Sequence, residues 1–311
     1  MYNMGRNAAE RNKAERKAAE RKTAERNTAG TNAVEVTHVV HRFSEKTVLD
    51  DVSYQVASGE IFGLLGPSGA GKTTLIKILT GQLKQTKGRA AILGYDSAKL
   101  DGATYRKIGM MLDNFGLYER LSGYENLRLY AKLYEIPQSR VDDVLRRVGL
   151  WESRKLPVLK YSKGMRGRLL LARAVMNAPE ILFLDEPTSG LDPATAAQIH
   201  RLMKEEQKRG ATVFLTTHNM AEAQKLCDNI ALLNEGRIVE YGSPEQICAK
   251  YNHQNRFKIT LCDGRCVELL NDGSAAAALT EYLEQKRIKS IHSTEPNLET
   301  VFMELTGRKF E

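Results

Sequence analysis

The residues at positions 66–73 have the types and spacing that hold the phosphate chain of a nucleotide. They match the pattern G-x4-G-K-[ST] and are Gly66, Pro67, Ser68, Gly69, Ala70, Gly71, Lys72 and Thr73. Glycines let consecutive backbone N–H groups turn inward as a nest for phosphate oxygens at a helix N-terminus. We expect Lys72 to reach the β- and γ-phosphates and the Thr73 hydroxyl to ligate Mg²⁺. This segment, the phosphate loop, predicts an ATP site that also includes the next residue, Thr74.

A second segment with suitable chemistry is an apolar strand at residues 181–184 that ends in Asp185 and Glu186. An acidic residue at the carboxyl end of such a strand points into the ligand crevice of an open α/β sheet. Asp185 is suited to hold Mg²⁺ through water, and Glu186 is suited to polarise the attacking water as a general base. Together with the phosphate loop, these carboxylates indicate that the bound nucleotide is hydrolysed.

The segments around these residues alternate between strand and helix patterns. Apolar or alternating stretches predict strands at 34–36, 48–56, 60–65, 181–184, 212–215 and 230–233. The strand at 60–65 runs into the phosphate loop, and a helix begins near Lys72, which is the context that the motif requires. This alternation predicts an α/β fold with a mostly parallel sheet that is covered on both faces.

Two other parts of the chain have different patterns. Residues 103–177 show amphipathic helix patterns and no comparable strand, so we predict a helical insertion there. After Pro244 the sequence predicts strands near 256–261, 266–270 and 288–292 and helices at about 275–286 and 298–305. We interpret 33–249 as the ATPase domain and 250–311 as a small α+β accessory domain.

Residues 1–32 form a charged tail with a five-residue near-repeat over positions 8–27. A period of five matches neither 3.5 nor 3.6, so successive alanines rotate around a helix and build no apolar seam. We expect a disordered segment or a solvated helix without chemistry. Contact with anionic lipid headgroups is the alternative hypothesis.

Composition limits the location and the partners of the protein. No stretch approaches the roughly 20 apolar residues that a membrane span needs, and the N-terminus lacks the apolar region of a signal peptide. The net charge is +8, but eight basic and four acidic residues within positions 1–33 supply half of it. Outside the tail no concentrated basic face favours nucleic acid. We therefore expect a cytoplasmic protein with no nucleic-acid partner.

Further motifs make residues 33–245 resemble the ATP-binding cassette (ABC) ATPases. Residues 161–165, Tyr-Ser-Lys-Gly-Met, resemble the signature segment of that family, and residues 189–192, Ser-Gly-Leu-Asp, resemble its D-loop. His218 follows an apolar strand and two threonines and resembles the family's switch histidine. Phe43 occupies the place where the family puts an aromatic ring against adenine. The phosphate loop, the signature and the block from Asp185 to Asp192 are each specific on their own.

The resemblance implies a P-loop NTPase cassette of the ABC type. Such a cassette has a RecA-like, mostly parallel sheet, additional antiparallel strands and a helical subdomain, here at about 103–177. Ser162 is a good helix N-cap, and the N–H groups behind it lie at the positive end of a helix dipole. In the family this helix end faces the γ-phosphate held by a second subunit, so the resemblance implies that Ser162 and Gly164 bind ATP there. The resemblance also implies that Asp192 of the D-loop belongs to the same ATP site. We therefore expect a homodimer in the ATP-bound state.

Three positions depart from the family's pattern. Asp113 stands where the family usually has a glutamine that senses Mg²⁺ and water, and we expect the shorter carboxylate at the metal. Gly167 replaces a glutamine within the signature helix, at a cost of about 1 kcal/mol relative to alanine. Tyr161 replaces the common leucine. These differences predict a working but slow ATPase.

The resemblance also implies a function in transport. With one cassette and no membrane span, we expect a separate integral membrane permease, contacted through residues 114–124, and a peripheral position on the inner face of the cell membrane. Residues 295–307 resemble the ending of ATPases paired with exporters of drugs, antibiotics and bacteriocin-type peptides, and residues 111–121 resemble their lantibiotic-exporting branch.

Two other functions compete with the transport function. The first is a soluble ABC ATPase that acts on ribosomes or nucleic acid, although such relatives usually carry two cassettes or a long coiled coil. The second is an inactive binding module, which the presence of Lys72, Asp185, Glu186 and His218 disfavours. Co-purification with a membrane protein or with ribosomes distinguishes these alternatives.

Overall fold

The computed structural model describes residues 32–112, 116–252, 256–293 and 295–307. Apart from Asn32, the charged tail lies outside the described residues, and so does Asp113. Within the described part the chain forms three β-sheets, of four, six and three strands. No helix in this part has the length and hydropathy that crossing a bilayer requires.

The four-stranded sheet is antiparallel and lies at the beginning of the chain. Its order is β2-β1-β4-β5, with β1 at Asn32–Phe43, β2 at Lys46–Ala57, β4 at Lys87–Ile92 and β5 at Tyr95–Asp96. Alternate residues of β1, including Val34 and Val36, are buried, as expected for strands with one face on a core. The turn between β1 and β2 places Phe43 at the end of the sheet.

The six-stranded sheet carries the predicted chemistry. Its order is β10-β9-β3-β8-β7-β6, and all neighbours are parallel except the β9–β10 pair. The strands are β3 (Ile61–Leu65), β6 (Ile108–Met111), β7 (Ile181–Asp185), β8 (Thr212–Thr217), β9 (Asn229–Asn234) and β10 (Arg237–Gly242). Because β3, β7 and β8 are neighbours, the residues that follow their carboxyl ends meet at one edge of the sheet.

Side chains of the central strands enter two separate cores on the two faces of this sheet. Leu182 and Leu215 belong to one core, and Phe183 and Phe214 belong to the other. Helix α1 (Lys72–Leu79) packs in the second core together with the four-stranded sheet. The sheet is therefore covered on both faces, as the apolar runs predict.

The insertion between β6 and β7 is mainly helical. Its helices are α3 (Gly123–Leu133), α4 (Gln138–Arg147) and α5 (Lys163–Val175), and a short α2 (Gly102–Tyr105) precedes β6. The prediction from the apolar pattern that 103–177 contains no strand comparable to the others is wrong at β6. This strand has only four residues. A Cβ at its Gly109 would lie 2.3 Å from the Ala174 carbonyl oxygen, so α5 can pack this closely only because position 109 is glycine. Glycine weakens the strand pattern in the sequence.

A buried ion pair ties the helical insertion to the sheet domain. Arg147 at the end of α4 donates to Glu206 on α6 (Pro193–Lys208), with 2.6 Å between Nη2 and Oε1. Arg209 Nη1 donates to the same oxygen at 2.8 Å, and Glu205 accepts from Arg147 at 3.1 Å. The Glu206 side chain is only 2% exposed.

The end of the chain adds a small sheet and two helices. Strands β11 (Arg256–Leu261), β12 (Cys266–Leu270) and β13 (Ile288–Ser293) form the third sheet, with α9 at Gly273–Glu284. The last helix, α10 (Leu298–Thr306), follows α7 (Met220–Leu226) and α8 (Pro244–Lys250) in the chain. Its residues Leu298, Val301 and Phe302 are buried in the core of the ATPase domain. Thus α10 packs on the preceding domain rather than apart from it.

Candidate nucleotide-binding site

The phosphate loop joins β3 to α1 with the backbone geometry that its glycines permit. Gly71 has a φ of 113°, and a Cβ at this position would lie 2.8 Å from Leu49 Cδ2. Gly71 is also the N-cap of α1, and no described side chain caps this end of the helix. The first N–H groups of α1 are therefore available to an anion.

Lys72 lies inside the loop that precedes it. Its Nζ donates to the carbonyl oxygens of Gly66 at 2.5 Å and Pro67 at 3.1 Å, and it lies 3.7 Å from Glu186 Oε1. The residue is only 8% exposed. Burial lowers the pKa of Lys72, although the nearby carboxylates of Glu186 and Asp185 act in the opposite direction. The structure thus places a buried ammonium group, with a carboxylate 3.7 Å away, beside the predicted phosphate site.

Two of the three predicted metal ligands, Thr73 and Asp185, are in direct contact. Thr73 Oγ1 donates to Asp185 Oδ2 at 2.9 Å. The other carboxylate oxygen, Oδ1, accepts a hydrogen bond from the Thr216 hydroxyl. A hydroxyl and a carboxylate oxygen side by side are the donor types that Mg²⁺ prefers, so these residues fit the predicted ion.

Glu186 adopts an unusual backbone conformation beside Asp185. Its φ is 48°, in the left-handed region that residues other than glycine rarely adopt. Its N–H donates to the Thr216 carbonyl oxygen at 3.1 Å, which holds this conformation. Its Oε2 lies 2.8 Å from His218 Nδ1, so the predicted general base and the predicted switch histidine are in contact. Strain of this kind is typical of functional sites.

A cleft of about 790 Å³ surrounds these groups. The predicted site residues that line it are Phe43, Ser68, Gly69, Gly71, Lys72, Thr73, Thr74, Asp185 and Glu186. The Phe43 ring is 50% exposed and packs edge-on against His41, with 4.6 Å between the ring centroids. An exposed aromatic face at the rim of the cleft can stack on a nucleobase. Ala70 lies within the loop, and its N–H donates to Pro67.

The signature segment contributes to the cleft in a way that the sequence did not predict. Ser162 caps α5 as expected, since its hydroxyl accepts the Met165 N–H at 3.2 Å. Ser162 and Gly164 do not line the cleft of this single chain, whereas Lys163 and Gly167 do. The D-loop also reaches the cleft, through Ser189 and Leu191, and a Cβ at Gly190 would lie 2.2 Å from Lys163 Nζ.

Asp192 also lies outside this cleft. It is the N-cap of α6 and accepts hydrogen bonds from the Thr195 N–H at 2.9 Å and the Thr195 hydroxyl at 2.7 Å. These hydrogen bonds lower the pKa of the Asp192 carboxyl. In a single chain Asp192 therefore orients α6 and the D-loop, and its contact with nucleotide stays a prediction.

The departures from the family's pattern have different outcomes. The assignment of Asp113 falls outside the described residues. Tyr161 is buried, and its hydroxyl donates to the Ser153 carbonyl oxygen at 2.9 Å. A Cβ at Gly123 would lie 2.3 Å from the Tyr161 hydroxyl, so the larger ring is accommodated by a glycine. A Cβ at Gly167 would lie 3.9 Å from Leu191 Cδ1, which is ordinary contact.

Sequence reasoning missed several residues of the site. Thr216 pairs with Asp185 across the parallel strands β8 and β7, and it contacts both Asp185 and Glu186. A polar residue at the carboxyl end of a neighbouring strand was the available signal. Lys46, the first residue of β2, and Glu235, in the turn between β9 and β10, also line the cleft, and no sequence pattern indicated them.

Comparisons with known proteins agree with this geometry. The family profile named ABC transporter matches residues 49–189. A fluoroquinolones export ATP-binding protein of Mycobacterium tuberculosis is 40% identical over 285 residues, which are 90% of this chain and 95% of that protein. The chain belongs to the ABC transporter family. It is an ABC ATP-binding subunit that binds and hydrolyses ATP.

One further relative and one solved structure are also similar to this ABC subunit. The lantibiotic transport ATP-binding protein SrtF of Streptococcus pyogenes is 32% identical over 228 residues, covering 72% of this chain and 98% of that protein. A dimeric structure of the ATP-binding cassette MJ0796 with bound ADP and Pi has a TM-score of 0.62 and 27% identity, covering 68% of this chain and 98% of that one. The predicted α/β P-loop fold and the similarity to the antibiotic-exporter branch are confirmed.

Proposed function

We propose that this chain is the nucleotide-binding subunit that powers export of a drug, an antibiotic or a peptide through a separate membrane permease. The contact between Glu186, His218 and Lys72 at the end of β7 carries the assignment of the hydrolytic step. The relatives named for fluoroquinolones export and lantibiotic transport support the direction and the class of cargo.

In the proposed mechanism Glu186 is the general base. Its carboxylate takes a proton from the attacking water, a step that typically contributes 10²–10⁴-fold to the rate. His218 holds the carboxylate through Oε2, while Lys72 faces Oε1 and the phosphate site. When ATP is bound, the Lys72 ammonium and the N–H groups of the phosphate loop stabilise the charge on the transferred phosphoryl group.

Thr73 and Asp185 would hold the Mg²⁺ that accompanies ATP. Their oxygens are already adjacent, and Thr216 fixes the second oxygen of the Asp185 carboxylate. A bound Mg²⁺ neutralises phosphate charge and orients the phosphates for in-line attack. The role of Asp113 in the same shell stays a prediction.

Two copies of the chain are proposed to enclose ATP between them. Ser162 and Lys163 at the tip of α5 are exposed, and the helix end offers N–H groups to an anion. A signature helix that reaches the γ-phosphate of a second copy explains why Ser162 and Gly164 do not line the cleft of a single chain. The dimeric cassette structure with ADP and Pi supports this arrangement.

The permease is proposed to dock in an apolar groove on the helical insertion. The groove has a volume of about 530 Å³ and is lined by Gly116, Leu117, Tyr118, Asn126, Leu127, Leu129, Tyr130, Lys132, Leu133 and Arg173. Tyr118 is 65% exposed, Leu129 is 45% exposed and Leu133 is 75% exposed, whereas Leu127 on the same helix as the two leucines is buried. An exposed apolar patch with a basic rim is typical of a protein interaction site.

The groove and the nucleotide cleft are lined by residues that lie only a few positions apart in the sequence. Met111 at the end of β6 lines the cleft, and Gly116, five positions later, lines the groove. Arg173 on α5 donates to the Gly116 carbonyl oxygen at 2.5 Å. Closure of the ATP site and movement of the docked permease segment can therefore be coupled. This arrangement also favours a peripheral position at the inner face of the cell membrane.

The proposed partner is tested by co-purification. The full-length tagged chain, isolated from detergent-solubilised membranes of its host, is expected to bring down a polytopic membrane protein that stimulates its ATPase. Leu133→Ser is expected to abolish this stimulation. Leu283→Ser, at a 63% exposed leucine on α9, is the matched control and should keep it. Co-sedimentation with ribosomes, without a membrane partner, would instead support the soluble alternative.

A further inference from the structure

Glu222 is a buried carboxylate that the proposed mechanism does not use. It lies on α7, the helix that follows the switch histidine, and its side chain is 4% exposed. Its Oε1 accepts the Thr188 hydroxyl at 2.6 Å and contacts His200 Nε2. Its Oε2 accepts the Thr217 hydroxyl at 3.1 Å. One carboxylate thus joins three separate segments of the chain.

Thr188 connects Glu222 to the general base. Thr188 lies two residues after Glu186 in the turn that leads to the D-loop. In that turn the Ser189 N–H donates to the Glu186 carbonyl oxygen at 3.2 Å, and the Leu191 N–H donates to the Thr188 carbonyl oxygen at 3.1 Å. The position of Thr188 therefore constrains the whole turn from Glu186 to the D-loop.

Thr217 connects Glu222 to the switch histidine. Thr217 is the residue before His218, and it is 2% exposed. Its hydroxyl accepts the Asn219 N–H at 2.9 Å while it donates to Glu222. The Asn219 side chain in turn accepts the Glu222 N–H at 2.9 Å. The Thr217 hydroxyl thus links the backbone after His218, at Asn219, to the Glu222 carboxylate.

His200 contacts Glu222 from α6, the helix that directly follows the D-loop. Its side chain is 31% exposed, and Nε2 faces the oxygen that also accepts Thr188. Burial raises the pKa of the Glu222 carboxyl, but hydrogen bonds from His200, Thr188 and Thr217 outweigh burial and lower it. An ionised carboxylate only accepts hydrogen bonds, so both threonine hydroxyls must donate to it. Bonds of this charged kind are stronger than neutral ones.

We propose that Glu222 is a positioning residue that holds Glu186 and His218 in register for hydrolysis, and that His200 orients the Glu222 carboxylate toward the two threonine hydroxyls. Glu222 does not line the nucleotide cleft, and none of its contacts described above goes to the phosphate loop. Its loss should therefore slow hydrolysis without weakening ATP binding. The inference concerns the ATPase reaction and is independent of the export function.

The first test compares Thr188→Val, Glu222→Gln and the double variant in the full-length chain. Each single variant is expected to lower kcat about tenfold, since a hydrogen bond to a charged group is lost or weakened. The Kd for ATP should stay within about twofold of the wild-type value. The double variant should be no slower than Glu222→Gln alone, because both substitutions disrupt the same contact, between Thr188 and Glu222.

A second comparison addresses His200 and supplies the control. His200→Leu is expected to lower kcat like Thr188→Val, and His200→Gln, which keeps a donor, should restore most of it. Glu60→Gln is the matched control. Glu60 is a half-buried carboxylate that accepts the Ala57 N–H and the Asn229 side chain, both at 2.8 Å, at the opposite end of β3 from the phosphate loop. It should leave kcat unchanged.

Several outcomes would overturn the proposal. A kcat within twofold of wild type in Thr188→Val and His200→Leu would do so even if Glu222→Gln failed to fold. Multiplicative losses in the double variant would show that Thr188 and Glu222 act separately. A lower melting temperature with unchanged kcat in Glu222→Gln would assign the cluster to stability alone.

Discussion

Glu206 is the position where a single substitution should weaken the attachment of the helical insertion to the sheet domain. Its carboxylate is 2% exposed and accepts from Arg147 at 2.6 Å and from Arg209 at 2.8 Å. Glu206→Met removes both acceptor contacts at similar volume and leaves the Arg147 side chain, which is 13% exposed, without its main partner. We expect the helical insertion to lose much of its attachment to α6.

The structure sets the size of this effect. Removing one partner of a buried ion pair typically costs about 3–5 kcal/mol, because the remaining charge stays buried. Arg147 keeps Glu205 at 3.1 Å, so we expect the lower end, about 3 kcal/mol. At roughly 2–4 °C per kcal/mol for a domain of this size, the melting temperature should fall by about 6–12 °C.

The assay is urea unfolding followed through the fluorescence of Trp151, the chain's single tryptophan. Trp151 lies just after α4, with the Arg146 guanidinium 3.6 Å from the centre of its ring, so it reports on the helical insertion. The double variant Arg147→Met/Glu206→Met should recover part of the loss, since the charges that lose a partner, on Glu205 and Arg209, are exposed rather than buried. A loss below about 1 kcal/mol in Glu206→Met, or a double variant less stable than the single one, would refute the reasoning.

Three other predictions follow from the site. Burial lowers the pKa of Lys72, so the affinity of the wild-type protein for ATP should fall as pH rises through that lowered pKa. The Lys72→Arg variant, whose guanidinium stays charged, should show no such fall when the Kd for ATP is measured against pH. Parallel profiles for the two proteins would contradict this. Gly123→Ala should lower stability by about 1–3 kcal/mol by melting temperature, with recovery in Gly123→Ala/Tyr161→Leu, and an unchanged melting temperature would contradict it. Gly167→Gln should leave ATP turnover close to wild type, because the site has room for a side chain; loss of turnover would show that the glycine is required.

The parts of the site that lie within short segments could be predicted from the sequence. The phosphate loop and the Asp185–Glu186 pair each follow a buried strand, and strand order in a parallel sheet then brings them to one edge. The structure places Thr73 against Asp185 and Glu186 against His218, as their predicted roles require. The strands and helices at 256–305 also have the predicted types, because their apolar periodicities are clear.

Contacts between distant segments could not be predicted in the same way. Thr216 reaches Asp185 only because β8 is the neighbour of β7 in the sheet. Glu222 and His200 meet across two helices, and no local pattern indicates that Glu222 is buried or that His200 contacts it. The apolar pattern alone did not indicate β6, because its glycine serves the packing of α5 rather than strand propensity. In each case a tertiary contact decides the role of the residue.

The most direct test of the account is the oligomeric state of a hydrolysis-deficient chain. Full-length Glu186→Gln in MgATP, measured by size-exclusion chromatography with light scattering, should have twice the mass of one chain, and Lys72→Ala should remain a monomer. The wild-type protein should return to a monomer as it hydrolyses its ATP. If Glu186→Gln stays strictly monomeric in MgATP, even with its membrane partner supplied, the proposed enclosure of ATP between two copies is wrong.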